Sequence, residues 1–178
     1  MFYALLLLAI ASRLLPHPPN MVCVGAIGLF AGCYLRGRIA WFVPIFAMFA
    51  SDVIGHFLRL PSMGFYNPIS MATVYAGFAM TTFIGRQLST RRTGLRIVGG
   101  AIAASCLFFV LSNLGVWFSG NYEHTLSGLL RCYSMAIPFF GNTLAGDLLY
   151  SGLMFGIYEW SMQRSVVGKA TTLEKPAF

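Results

Sequence analysis

Apolar residues fill this chain in long uninterrupted stretches, broken by short clusters of proline, glycine and charge. Residues 4–10 and 106–111 are apolar at every position. A membrane-spanning strand would instead alternate apolar and polar side chains over about ten residues. The pattern therefore predicts helices. Six apolar stretches are legible: residues 1–15, 21–35, 39–57, 69–84, 97–118 and 132–160. The first stops at Pro16-His17-Pro18-Pro19-Asn20, where three prolines forbid a continuing helix. The second stops at Arg36-Gly37-Arg38, and polar connections at 58–68, 85–96 and 119–131 separate the rest. The sixth contains Pro138. The first two are short for full crossings and suit thin, tilted or partly re-entrant spans.

Composition turns this pattern into a class. The 178 residues are 57% hydrophobic and 10% charged, whereas a soluble domain is about 25% charged. So few charges cannot cover a soluble surface of this size. Disorder is excluded by 16 Phe and 8 Tyr. A helical crossing takes roughly 20 apolar residues, which leaves no room for a sizeable soluble domain. The expectation is an all-α polytopic membrane protein of about six transmembrane helices. One transmembrane domain covers residues 1–165, and a short polar cytoplasmic tail covers 166–178. Ala9-Ile10-Ala11 has the look of a signal-peptide cleavage site, but no positive segment precedes the apolar run. The first helix is therefore read as retained.

Charge supplies an orientation. With six spans both termini share a side, and that side holds Arg36, Arg38, Arg86, Arg91, Arg92, Arg96, Arg164, Lys169 and Lys175. The other side holds Arg13, Arg59 and Arg131. The positive-inside bias then predicts cytoplasmic termini in a bacterial inner membrane. It also accounts for the net charge of +7, so no nucleic-acid partner is implied. Cys23, Cys33, Cys106 and Cys132 form no C-x-x-C pair and read as small packing residues. Gly28 and Gly32, Gly152 and Gly156, and Ala72 and Ala76 are small residues four apart. Such pairs either pack helices inside the bundle or dock a partner subunit.

The candidate chemistry gathers on the side poor in Lys and Arg. His17 and Asn20 lie in the first outer connection, Tyr66 and Asn67 in the second, and Asn121, Tyr122, Glu123 and His124 in the third. Asp52 and His56 are four residues apart on the third helix and share a face. Asp52 sits about 8 Å below the outer end of its helix, a depth at which a charge needs a partner or a cavity. It reads either as a ligand-contacting carboxylate or as an ion pair with Arg13, Arg59 or Arg131. Asp52 and His56 are weak candidates for a Zn-, Ni- or Co-type metal site. Asn113 and Trp117 share a face near the outer end of the fifth helix. On the sixth, Asn142 precedes Thr143, Asp147 and Ser151, which are spaced i, i+4, i+8. Asp147, near mid-membrane, is either a functional carboxylate or one bonded to hydroxyls or Tyr150 within the bundle. No zinc-protease, nucleophile-elbow or Walker motif is present. An enzyme is not expected, no cofactor is predicted, and transport energy would come from another chain or an ion gradient.

Six short helices, cytoplasmic termini and polar outer connections resemble the substrate-binding S components of energy-coupling-factor vitamin transporters. The stretch from Arg13 through Pro16-His17-Pro18-Pro19-Asn20 to Val24-Gly25-Ala26 and Gly28 also resembles a family of small bacterial membrane proteins associated with that group. The resemblance implies an uptake component that binds a vitamin-like or metal micronutrient from outside. The Pro16–Asn20 loop, with His17 and Asn20, would be its gate. Partners would be the bilayer, the ligand, and a membrane coupling subunit with ATPases. Such components often dock through A-x-x-x-A on the first helix, and Ala4, Ala9 and Ala11 miss that spacing. Working alone is then the alternative. The substrate-binding set is Asp52, His56, Tyr66, Asn67, Asn113, Trp117, Asn142 and Asp147. The rival reading is a non-catalytic accessory subunit of a larger membrane complex.

Overall fold

The computed structural model describes residues 2–60 and 63–173, with side chains through Arg164. Among these the chain is all-helical and has no strand. The elements are α1 (Phe2–Leu14), α2 (Val24–Tyr34), α3 (Ile39–Phe57), α4 (Pro68–Leu88), α5 (Gly94–Val116) and α6 (Leu126–Leu173).

The organising element is α2. Every residue from Val24 to Cys33 is buried, as expected for a helix that is apolar all round. Cys23 pins its start to α1: the Cys23 backbone N–H donates to Ser12 Oγ at 3.4 Å, and its thiol to the Leu8 carbonyl at 3.6 Å. Against α4 the two backbones come very close. A Cβ on Gly28 would meet Thr81, one on Gly32 would meet the Thr82 carbonyl, and one on Gly85 would meet the Leu29 carbonyl. Gly28 and Gly32 thus serve packing inside the bundle. Gly152 and Gly156 meet nothing within 4 Å and remain open.

Helix ends follow local chemistry. α3 keeps the bounds read from hydropathy, 39–57. α4 starts at Pro68 because Asn67 caps it, its Oδ1 accepting from the Ile69 N–H at 2.9 Å and the Ser70 N–H at 3.4 Å. It runs past the expected end through Arg86 and Gln87 to Leu88. α5 opens behind Thr93, whose Oγ1 accepts from the Arg96 N–H at 3.4 Å. It closes in a π turn, Trp117–Asn121, within which Gly120 has a φ of +85°. α6 is the main departure, with 48 residues instead of an expected start at 132 and end at 160. The connection expected over 119–131 shrinks to 122–125. Thr125 Oγ1 accepts from the Gly128 N–H at 3.1 Å and starts the helix early. Polar residues in a capped first turn do not interrupt a helix. The last turns of α6 enter the stretch expected as a tail, of which 174–178 lie outside the described residues.

Among the described residues two helices are long and apolar enough to cross a membrane, Ile39–Phe57 and α5 with its π turn, Gly94–Asn121. α1 and α2 are apolar but have 13 and 11 residues. Many large apolar side chains face outward, among them Leu7, Phe42, Phe49, Val110, Ile137 and Leu153.

Connections at each end are tied together. At one end, Asn67 Nδ2 donates to the Ser119 carbonyl at 3.5 Å. At the other, Arg86 donates to the Gly37 carbonyl at 2.5 Å, Tyr34 donates to Glu159, and the Arg92 guanidinium lies 4.9 Å from the Tyr34 ring centre.

Candidate functional site

A cavity of about 750 Å³ lies among the helices at the His17 end. Two connections supply part of its lining: Pro16, His17, Pro19 and Asn20 from α1–α2, and Leu60, Met63 and Tyr66 from α3–α4. The helices add Arg13, Met48, Phe78, Thr81, Phe108, Phe139, Thr143 and Asp147. The cavity is therefore largely apolar and aromatic, with a few polar groups set in it. That is the usual make-up of a small-molecule site.

Arg13, at the last turn of α1, is fixed by α3. Its Nη2 donates to Asp52 Oδ1 at 2.5 Å and its Nη1 lies 2.7 Å from Met48 Sδ. Asp52 is 1% exposed. Its Oδ2 accepts from the Tyr75 hydroxyl at 2.9 Å, and the Gly64 N–H also points to it. Of the partners open to Asp52 on sequence, Arg13 is the one it takes. Asp52 does not itself line the cavity, but it holds in place an arginine that does. Arg13 Nε is buried and has no partner.

Asp147 lines the cavity directly and is 4% exposed. Its Oδ2 accepts from Ser105 Oγ at 2.7 Å, and the Ala26 backbone N–H also points to it. Gly25 makes this possible, because any Cβ there would strike Asp147 Oδ1. Arg13–Asp52 is the one ion pair among the described residues, so Asp147 has no cationic partner there.

The first connection is held down from α6. Asn142 Nδ2 donates to the Pro19 carbonyl at 3.0 Å. His17 Nδ1 lies 2.8 Å from the Pro18 carbonyl and donates to it. Asn20 adopts a left-handed φ of +64°, which asparagine tolerates better than most residues. Burial pushes the Tyr66 hydroxyl above the ordinary phenol range, with the nearby Asp52 carboxylate adding to the rise and Arg13 opposing it.

Tyr66, Asp147, His17 and Asn20 thus share one cavity, and Asn142 latches its loop. The other sequence candidates lie elsewhere. His56 is exposed, its ring 5.4 Å from that of Phe65. Asn67 is spent capping α4. Asn113 donates to the Phe109 carbonyl at 2.8 Å within α5. Trp117 Nε1 donates to the Glu123 carbonyl at 2.9 Å, and its ring packs on His124. Among the described residues no three of His, Cys, Asp and Glu gather as a metal site. The Asp52 carboxylate is bonded to Arg13 and Tyr75.

On sequence alone Arg13 is legible as an ion-pair partner, and Phe78, Thr81, Phe108 and Phe139 are not legible as lining residues. Arg13 had a signal, being the single charge in residues 1–15. The phenylalanines had none, since they look like any span-filling residue.

A second recess, of about 330 Å³, lies between α5 and α6 at the Arg92 end. Gly152, Gly156, Arg92 and Glu159 line it, as does Ser151, whose Oγ is buried without a partner.

A family model described as a family of unknown function, DUF6580, matches residues 1–171. Neither a curated protein nor a solved structure matches the chain.

Proposed function

We propose that this chain, which belongs to the DUF6580 family of unknown function, is a six-span inner-membrane protein that binds a small solute from outside and serves its uptake. The cavity of about 750 Å³ carries this reading. It sits beneath a proline-rich connection latched by Asn142 to α6, and two charged side chains, Arg13 and Asp147, stand in a largely apolar wall. Charges are kept in membrane-embedded bundles chiefly where they serve a site or a pathway. The outward-facing apolar side chains and the two long apolar helices support the membrane setting. The charge asymmetry along the sequence supports cytoplasmic termini. With no ATP-binding motif in the sequence, the uptake reading draws its energy from another chain or a gradient, as in the S components that the layout resembles. No catalytic role or cofactor is assigned. An organic, vitamin-like solute fits the wall better than a metal micronutrient, because the described residues gather no ligand cluster.

Native mass spectrometry of the protein purified in mild detergent tests this reading. The expected result is a co-purifying small molecule that is lost in Arg13→Ala, together with impaired uptake of that molecule by cells carrying the variant. An empty wild-type protein, or uptake indifferent to Arg13, would overturn it.

The recess at Gly152 and Gly156 favours a second reading, an accessory subunit that docks another membrane helix there. Native purification separates the two: a stable multi-chain complex carrying no small molecule supports the second.

A further inference from the structure

The two charges in the cavity wall differ in what surrounds them. Arg13 is matched by Asp52 at 2.5 Å, and Asp52 is further satisfied by Tyr75 at 2.9 Å. Asp147 is as deeply buried, at 4% exposure, yet its partners are the uncharged Ser105 hydroxyl and the Ala26 N–H. The site therefore carries one carboxylate more than it has cations. A buried charge without a counter-charge is costly, and here the space beside it is a cavity rather than packed side chains. Arg13 lines the same cavity, with its charge already neutralised by Asp52. Phe78, Phe108 and Phe139 line the same cavity, and the rings of Phe78 and Phe108 lie 4.7 Å apart.

We infer that the cavity is built for a small organic monocation. An ammonium or protonated nitrogen heterocycle faces Asp147, an apolar or aromatic body lies against the phenylalanines, and a neutral acceptor such as a carbonyl or hydroxyl meets Arg13. A free carboxylate on the ligand is disfavoured, because Asp52 already occupies Arg13. A bare metal ion is disfavoured as well, since among the described residues no three of His, Cys, Asp and Glu gather around it. Aromatic faces add their own attraction for a cation. The inference rests on the solute-binding reading of this cavity and narrows it to one charge class.

Three probes of similar shape test it on the purified full chain: 2-phenylethylammonium, 2-phenylethanol and phenylacetate. The ammonium is expected to raise the melting temperature of the wild-type protein, and the alcohol and carboxylate to leave it unchanged. In Asp147→Asn the ammonium affinity is expected to fall about tenfold or more, as loss of a charge-assisted contact implies. Glu159→Gln, at the other end of the bundle, is expected to bind normally. No ammonium shift, an equal shift from phenylacetate or phenylethanol, or an ammonium shift that survives Asp147→Asn would each overturn the inference. If Asp147→Asn does not fold, the ranking of the probes on the wild-type protein decides. A co-purified anionic or neutral solute whose uptake depends on Arg13 would overturn the charge class and leave the uptake reading standing. An empty protein with uptake indifferent to Arg13 would remove both.

Discussion

Arg13 and Asp52 show how a single contact can serve two ends. The pair joins α1 to α3 and also fixes a guanidinium in the cavity wall. Removing one partner of a buried pair strands the other, at a cost of about 3–5 kcal/mol. Asp52→Ala is thus expected to destabilise the protein by about that amount in a denaturant titration, and the double substitution Arg13→Met, Asp52→Leu to recover most of it. Additive losses would contradict a direct pair. The same residues mark the limit of the sequence. Spacing of four put Asp52 beside His56 on one helix, but spacing does not say which neighbouring helix a face meets. α3 buries Val43, Ala47, Ser51 and Asp52, while His56 lies exposed near the helix end. Gly25 is the less obvious residue of the site. Gly25→Ala is expected to displace the Asp147 carboxylate and weaken ammonium binding, read in the same melting assay. Unchanged binding would show that this glycine serves packing alone.

At the scale of elements, hydropathy located all six helices because each must be apolar over most of its length. Polarity is a poor guide to where a helix ends: α4 runs through Arg86 to Leu88, and Thr125 starts α6 inside a segment that reads as a loop. Small residues were visible as pairs, but their use depends on the neighbour. Gly85 lies against the Leu29 carbonyl, whereas Gly152 faces open space. Gly85→Ala is therefore expected to destabilise strongly, because backbone cannot yield to a new methyl group. Gly152→Ala is expected to be neutral or to stabilise by up to about 1 kcal/mol through helix propensity. Thermal unfolding of both variants in detergent distinguishes them. A large loss in Gly152→Ala would mean that this face is packed, against a partner or a second copy.

For the whole molecule, the proposed orientation places the His17, Tyr66 and His124 connections outside and the Gly37 and Arg91 connections inside. In a variant lacking the four native cysteines, single cysteines at His124 and Gly37 test this. A membrane-impermeant maleimide is expected to label the first on intact cells and the second only after permeabilisation, and the reverse pattern would invert the topology. Fold class and charge asymmetry were legible because they are properties of long stretches. The cavity was not, because it is the space left between six helices that meet only in three dimensions. The shortness of α2 has a consequence for passage. From Gly25, against the cavity carboxylate, to Tyr34 at its far end, α2 rises only about 14 Å, roughly half the thickness of a bilayer's hydrocarbon core. On the proposed uptake reading, a solute resting on Asp147 would already have about half of the hydrophobic barrier behind it, so the rearrangement that completes its transit has to open only the length of α2.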